Sequence, residues 1–198
     1  MVFPEIKENE RIESLKYPEK KVQMVLDTDT YNEVDDQFAL AYALNSPESM
    51  EVKAVYAAPF HNDRSEGPED GMEKSYQEII KIMDKMNYSP EGKVFRGSVD
   101  YLSDDETPQS SEAAKDLIKK AKAMPEGEKL YVAAIGAITN VASAILMEPE
   151  IIKNIVVIWL GGNSHDWSHA KEFNLMQDVS AARVLFDCGV PFIQIPCM

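Results

Sequence analysis

Cysteine is nearly absent: Cys188 and Cys197 are the two in 198 residues. They form neither a metal pattern nor a disulfide framework. Both read as buried or incidental thiols of a reducing compartment. No apolar run approaches the roughly 20 residues that span a bilayer, and the N-terminal stretch lacks the apolar core of a secretory leader. A cytoplasmic protein with no membrane partner is the expectation. Positive charge is also scarce. Twenty Lys and Arg stand against 34 Asp and Glu, a net charge of −14. Such a balance argues against nucleic acid and anionic membranes as partners, but not against a small neutral substrate. No repeat, linker or low-complexity tract interrupts the chain.

What is present is a regular alternation. After a charged N-terminal arm, residues 1–21, one α/β domain is expected over residues 22–198. Strands are predicted near 22–27, 51–57, 93–96, 129–134, 154–160 and 190–195, and helices near 35–45, 70–87, 110–123, 139–148 and 178–188. In the second helix Met72, Tyr76, Ile79, Ile80, Met83 and Met86 recur on one face and read as core filling. Phe38, Leu40 and Leu44 are assigned to the core, as is Trp159. Thr139 or Asn140 is expected to cap the fourth helix. Residues 97–109 read as an irregular, mobile loop. Strand followed by helix, repeated, predicts a mainly parallel, doubly wound sheet with helices on both faces.

The chemistry concentrates at the end of the first strand. Leading into VLDTDTYNEVDDQFALAYAL, the apolar stretch Val22 to Leu26 gives way to a helical pattern from Asp35 onward. Asp27, Asp29, Asp35 and Asp36 therefore occupy the strand-to-helix turn, where open α/β sheets place their ligand sites. Crowded like charges call for a cation, a shared proton or water. Several Asp oxygens and a backbone carbonyl suit Ca²⁺ or Mg²⁺, and no Cys/His cluster suits zinc. A carboxylate beside the cation can take a proton from water. Asn and Glu on an opposing loop would hold sugar hydroxyls, a combination suited to glycosidic hydrolysis.

Four segments in order, VLDTDTYNEVDDQFALAYAL, AAIGAITNVASAI, VVIWLGG and KEFNLMQDVSAARVLF, resemble the inosine-uridine nucleoside hydrolases over roughly residues 22–195. The resemblance implies a calcium ion and a nucleoside substrate. It implies that Asp29 binds calcium and acts as general base, that Asp36 and the backbone carbonyl of Ile135 bind calcium, and that Asp27 supports the site. It assigns Asp35, Asn62, Glu172 and Asn174 to the ribose, with Asn163 the nearest counterpart of a further sugar-binding asparagine. It also implies a homo-oligomer, dimer or tetramer.

Departures are equally specific. The first turn is longer than the usual family form, so that Asn32 and Glu33 could themselves face the metal. The family's later calcium-binding aspartate and base-side histidine have no counterpart, so the resemblance is to the N-terminal two-thirds of such an enzyme. Two rivals stand beside a nucleoside hydrolase. A phosphohydrolase of the haloacid dehalogenase type shares Asp27-Thr28-Asp29 but wants Thr or Val where Tyr31 stands. A non-catalytic binding module or fragment on the same fold is the other.

Overall fold

The structure is a computed structural model and describes residues 2–197. Six strands form one sheet: β1 (Val22–Thr28), β2 (Met50–Ala57), β3 (Val94–Arg96), β4 (Leu130–Ala134), β5 (Ile155–Asn163) and β6 (Phe192–Cys197). Every pairing is parallel and the spatial order is β3-β2-β1-β4-β5-β6. The chain runs outward from β1 through β2 to β3, then crosses back to β4. That reversal makes the gap between β1 and β4 a topological switch point. Asp27 is paired in register with Ala134 there, so the turns after β1 and β4 leave the sheet side by side.

Seven α-helices occur among the described residues: α1 (Glu8–Ser14), α2 (Val34–Leu44), α3 (Pro68–Lys85), α4 (Glu112–Lys122), α5 (Thr139–Met147), α6 (Phe173–Gln177) and α7 (Val179–Asp187). The predicted strands and five long helices are all found, within a few residues at their ends. The unpredicted α1 lies in the arm and buries none of its residues. Local chemistry sets several helix starts. Pro68 opens α3, where a missing N–H costs nothing. The Ser111 hydroxyl accepts the Ala114 N–H to start α4, and Asp178 accepts the Ala181 N–H to start α7.

The two faces of the sheet are covered unequally. On one, α4, α5 and α7 pack Leu117, Val141, Ile145 and Val184 against Val25, Val132, Val157 and Trp159. On the other, α2 and α3 bring Leu40, Leu44, Ile79 and Met83 over Met24, Leu26, Val55 and Val94. This second layer stops short of β5 and β6. Tyr131, Ile135, Ile158 and Ile193 there line a cleft of about 850 Å³, bounded by the arm and by Tyr42. Helices do lie on both faces, yet a parallel sheet is usually covered throughout.

Two expectations are corrected. Phe38 is not core: it is 72% exposed, between Val34 and Tyr42 on the outer face of α2. Thr139 and Asn140 do not cap α5, whose N-cap is Ile138 without a side-chain bond. Both are buried, and their side chains reach Asp178 and Asp27 instead. The 97–109 segment is irregular as expected, but it is pinned: Ser98 binds Asn140, the Leu102 N–H binds Asp178 and the Gln109 N–H binds Ser143.

Candidate active site

Asp27, Asp29 and Asp36 converge at the switch point, all buried. Asp27 is the one acid inside β1. One oxygen accepts the Asn140 amide at 2.8 Å, and the other is buried without any hydrogen-bond partner. Burial pushes its pKa up to about 7, against the downward pull of Asn140. Asn140 also donates to the Ala57 carbonyl and accepts from the Ser98 N–H and hydroxyl. It thereby ties the ends of β1 and β2 to the start of α5.

Asp29 follows in the turn. Burial raises its pKa well above the carboxylate range, and the nearby charge of Asp36 raises it further. The Asn32 side chain opposes this by donating to Asp29 Oδ2 at 2.9 Å. Asp36, in the first turn of α2, is raised to about 7, again chiefly by burial. The Thr28 hydroxyl donates to it and stabilises its anion, while Asp35 and Glu33 add repulsion. Asp35 itself is exposed.

The β4 side is shaped by Gly136. A Cβ at this position would lie 2.8 Å from Asp29 Oδ1, so an added side chain would push the acid aside. The Gly136 carbonyl accepts the indole N–H of buried Trp159, which holds the turn from beneath. The preceding carbonyl, that of Ile135, accepts the Asn174 amide at 3.0 Å, and the same amide reaches the Leu160 carbonyl at 2.9 Å. Asn174 thus bridges the ends of β4 and β5.

Glu172 stands at the start of α6, and its carboxylate faces inward. It accepts the backbone N–H groups of Gly162, Asn174 and Leu175 at 2.7, 2.9 and 3.0 Å. Asn62 donates to the Asn32 side chain at 2.7 Å and accepts the Arg64 N–H at 2.9 Å. Asn163 makes its contact with the His169 carbonyl, on the loop that follows β5. The structure therefore gathers Asp27, Asp29, Asp36, Ile135, Asn62 and Asn174 around the switch point. Asn163 bonds away from them, and Glu172 has its oxygens committed to N–H groups.

Asn140 and Asp178 were assigned no site role in the sequence. Asp178 joins Thr139 and Leu102 at the back of the site while capping α7. Only the strand-end position of Asn140 hinted at its part. Of the two inserted turn residues, Asn32 faces Asp29, whereas Glu33 is exposed.

The donor chemistry fits a hard cation: carboxylates, a hydroxyl and backbone carbonyls, with an unpartnered Asp27 oxygen beside two acids whose charges repel. Among the described residues no group of three or more His, Cys, Asp or Glu side chains is arranged to hold a metal ion. The cluster fits a hard cation in the kind of donor it offers.

The profile of the inosine-uridine preferring nucleoside hydrolase family matches residues 24–197. The probable uridine nucleosidase 2 of Arabidopsis thaliana is 26% identical over 193 residues, covering 87% of this chain and 58% of that protein. The solved purine-preferring ribonucleoside hydrolase from Gardnerella vaginalis superposes with a TM-score of 0.69 at 26% identity, over 88% of this chain and 60% of that one. The type III effector XopQ, solved with adenosine diphosphate ribose, shares the fold at a TM-score of 0.64 and 16% identity. The chain spans about three-fifths of the length of these relatives.

Proposed function

Because this chain belongs to the inosine-uridine preferring nucleoside hydrolase family, we propose that its site serves calcium-dependent hydrolysis of the N-glycosidic bond of a ribonucleoside, yielding ribose and a free base. The observation that carries this is Asp29. It is buried beside a second acid, with one oxygen tied to Asn32 and the other facing the Gly136 turn. A carboxylate held this way is oriented, desolvated and short of positive charge.

Asp29, Asp36 and the Ile135 carbonyl would hold the cation. When bound, it supplies the charge that relieves both acids and lowers the pKa of water beside them. In the reaction a water oxygen bonds to the anomeric carbon as the carbon–nitrogen bond breaks, and that bond's electron pair leaves with the base. Asp29 takes the proton from the water. Asp36, stabilised as an anion by Thr28, favours the positive charge that develops on the sugar. Asp35 and Asn174 are the residues we assign to the ribose hydroxyls. Glu172 would serve them indirectly, by fixing the chain on which Asn174 sits. Asp27 and Asn140 brace the turn.

Free Cys188 and Cys197 suit a reducing, cytoplasmic setting, and dimeric or tetrameric association follows the family's habit. A phosphohydrolase gives way to the family match. A binding module on the same fold is the competing assignment, favoured by the lack, among the described residues, of three or more His, Cys, Asp or Glu side chains arranged to hold a metal ion. Incubation with uridine and inosine in the presence of calcium separates the two. Release of free base that stops in Asp29→Asn supports hydrolysis. Nucleoside binding without base release supports the module.

A further inference from the structure

Asn32 has four polar contacts and is 3% exposed. Its backbone N–H donates to the Asp29 carbonyl at 2.7 Å, closing the turn after β1. Its backbone carbonyl accepts from the Arg64 guanidinium at 2.5 Å. Its side-chain amide does two jobs at once: Nδ2 donates to Asp29 Oδ2, and Oδ1 accepts from Asn62 Nδ2.

An amide can turn over, so what fixes its direction matters. Here the direction is set from outside. The backbone N–H of Arg64 donates to Asn62 Oδ1 at 2.9 Å, and a backbone N–H has no flipped alternative. Asn62 must therefore present Nδ2 to Asn32. Asn32 must then present Oδ1 to Asn62 and Nδ2 to Asp29. Donor polarity passes from the 62–64 turn to the acid through two amides, each with its choice removed.

From this geometry we infer that Asn32 is a positioning residue for Asp29, and that Asn62 acts through Asn32 rather than as an independent hand on the sugar. The relay keeps one oxygen of Asp29 permanently supplied with a donor. It leaves the other, over Gly136, as the oxygen open to a cation or a water. The inference rests on the proposed hydrolase site and adds to it two amides, one from the neighbouring loop, that hold the acid in place. Partners of this kind typically change metal affinity about 10–100-fold when removed.

The discriminating substitution is Asn62→Asp. It keeps the shape and adds a negative charge near the acids, which by charge alone tightens cation binding. The relay predicts the opposite sign. A carboxylate cannot donate to Asn32 Oδ1, so the Asn32 amide turns over and puts an acceptor against Asp29. Calcium titration by calorimetry on the full chain, with thermal melting to verify folding, reads the outcome. The expected result is affinity weakened about tenfold or more in Asn62→Asp and in Asn32→Ala. Asn62→Ala should likewise weaken binding, with no further loss when combined with Asn32→Ala, because both interrupt one relay. Unchanged or tighter binding in Asn62→Asp, or additive losses in the alanine pair, overturns the inference while leaving the hydrolase site standing. No calcium uptake by the unaltered chain removes the proposed cation, and this role with it.

Discussion

The segments that follow β1 and β5 are both built from buried carboxylates and amides, yet they are provisioned differently. At the end of β5, each oxygen of Glu172 and Asp178 meets a donor from the protein. At the end of β1, Asp27 has an oxygen with no partner, and Asp29 and Asp36 hold charges that repel. The chemical groups are alike, but satisfied ones act as structural pins, and undersupplied ones await something from outside. A buried polar group without a partner costs folding free energy, so leaving one there needs a compensating use. Stability and reactivity should separate along this line.

The sharpest way to break the contrast is Asp29→Asn. Where the unaltered chain cleaves nucleosides, turnover should fall roughly 10²–10⁴-fold, the usual share of a general base, while the melting temperature holds or rises. A large loss of stability with it would place Asp29 among the pins.

The pH dependence of the calcium-free chain comes next. The folded pKa of Asp27 is about 7 against an ordinary 3.8, so between those values the folded state holds more protons than the unfolded one. Stability is then fully present below pH 3.8 and declines as pH rises toward about 7. The loss from this one fully buried group is on the order of 4 kcal/mol. Asp36 contributes in the same direction. Urea melts in chelator at about pH 5 and pH 8 should show it, Asp27→Asn should flatten it, and calcium should offset it.

On the satisfied side the expected pattern reverses. Glu172→Ala strands two N–H groups at the start of α6 and a third, that of Gly162, in β5, and stability at neutral pH should fall by about 3 kcal/mol, read as a lower melting temperature. Affinity for calcium should change less than in Asp29→Asn. Ser111→Ala, at the cap of α4 away from both sides, supplies the scale for an ordinary cap: about 1 kcal/mol, with no change in cation uptake.

The same contrast explains what the sequence made legible. The acids after β1 were readable because a strand pattern changes to a helix pattern around them, and a change of period is a local signal. The parallel, doubly wound sheet followed from the alternation. Phe38 was misplaced because α2 is apolar almost all round, leaving no pattern to choose its buried face. α6 is five residues long and starts on a glutamate cap, too short for periodicity to reveal. Asn140 resembled a cap by type and position, but its partner Asp27 lies 113 residues away. The Asn62–Asn32 relay spans 30 residues and depends on which way two amides face. Neither fact is written in local spacing.

The missing side chain at position 136 gives a means of sorting descendants of this fold. An added Cβ would fall against Asp29 Oδ1, and the main chain there is also held by Trp159. A lineage that keeps the acid in place has no substitution open to it at this point. A lineage released from chemistry has many. In sets of related chains, the first non-glycine residue here should mark the branch where the pocket was put to another use, even while every aspartate is still spelled out.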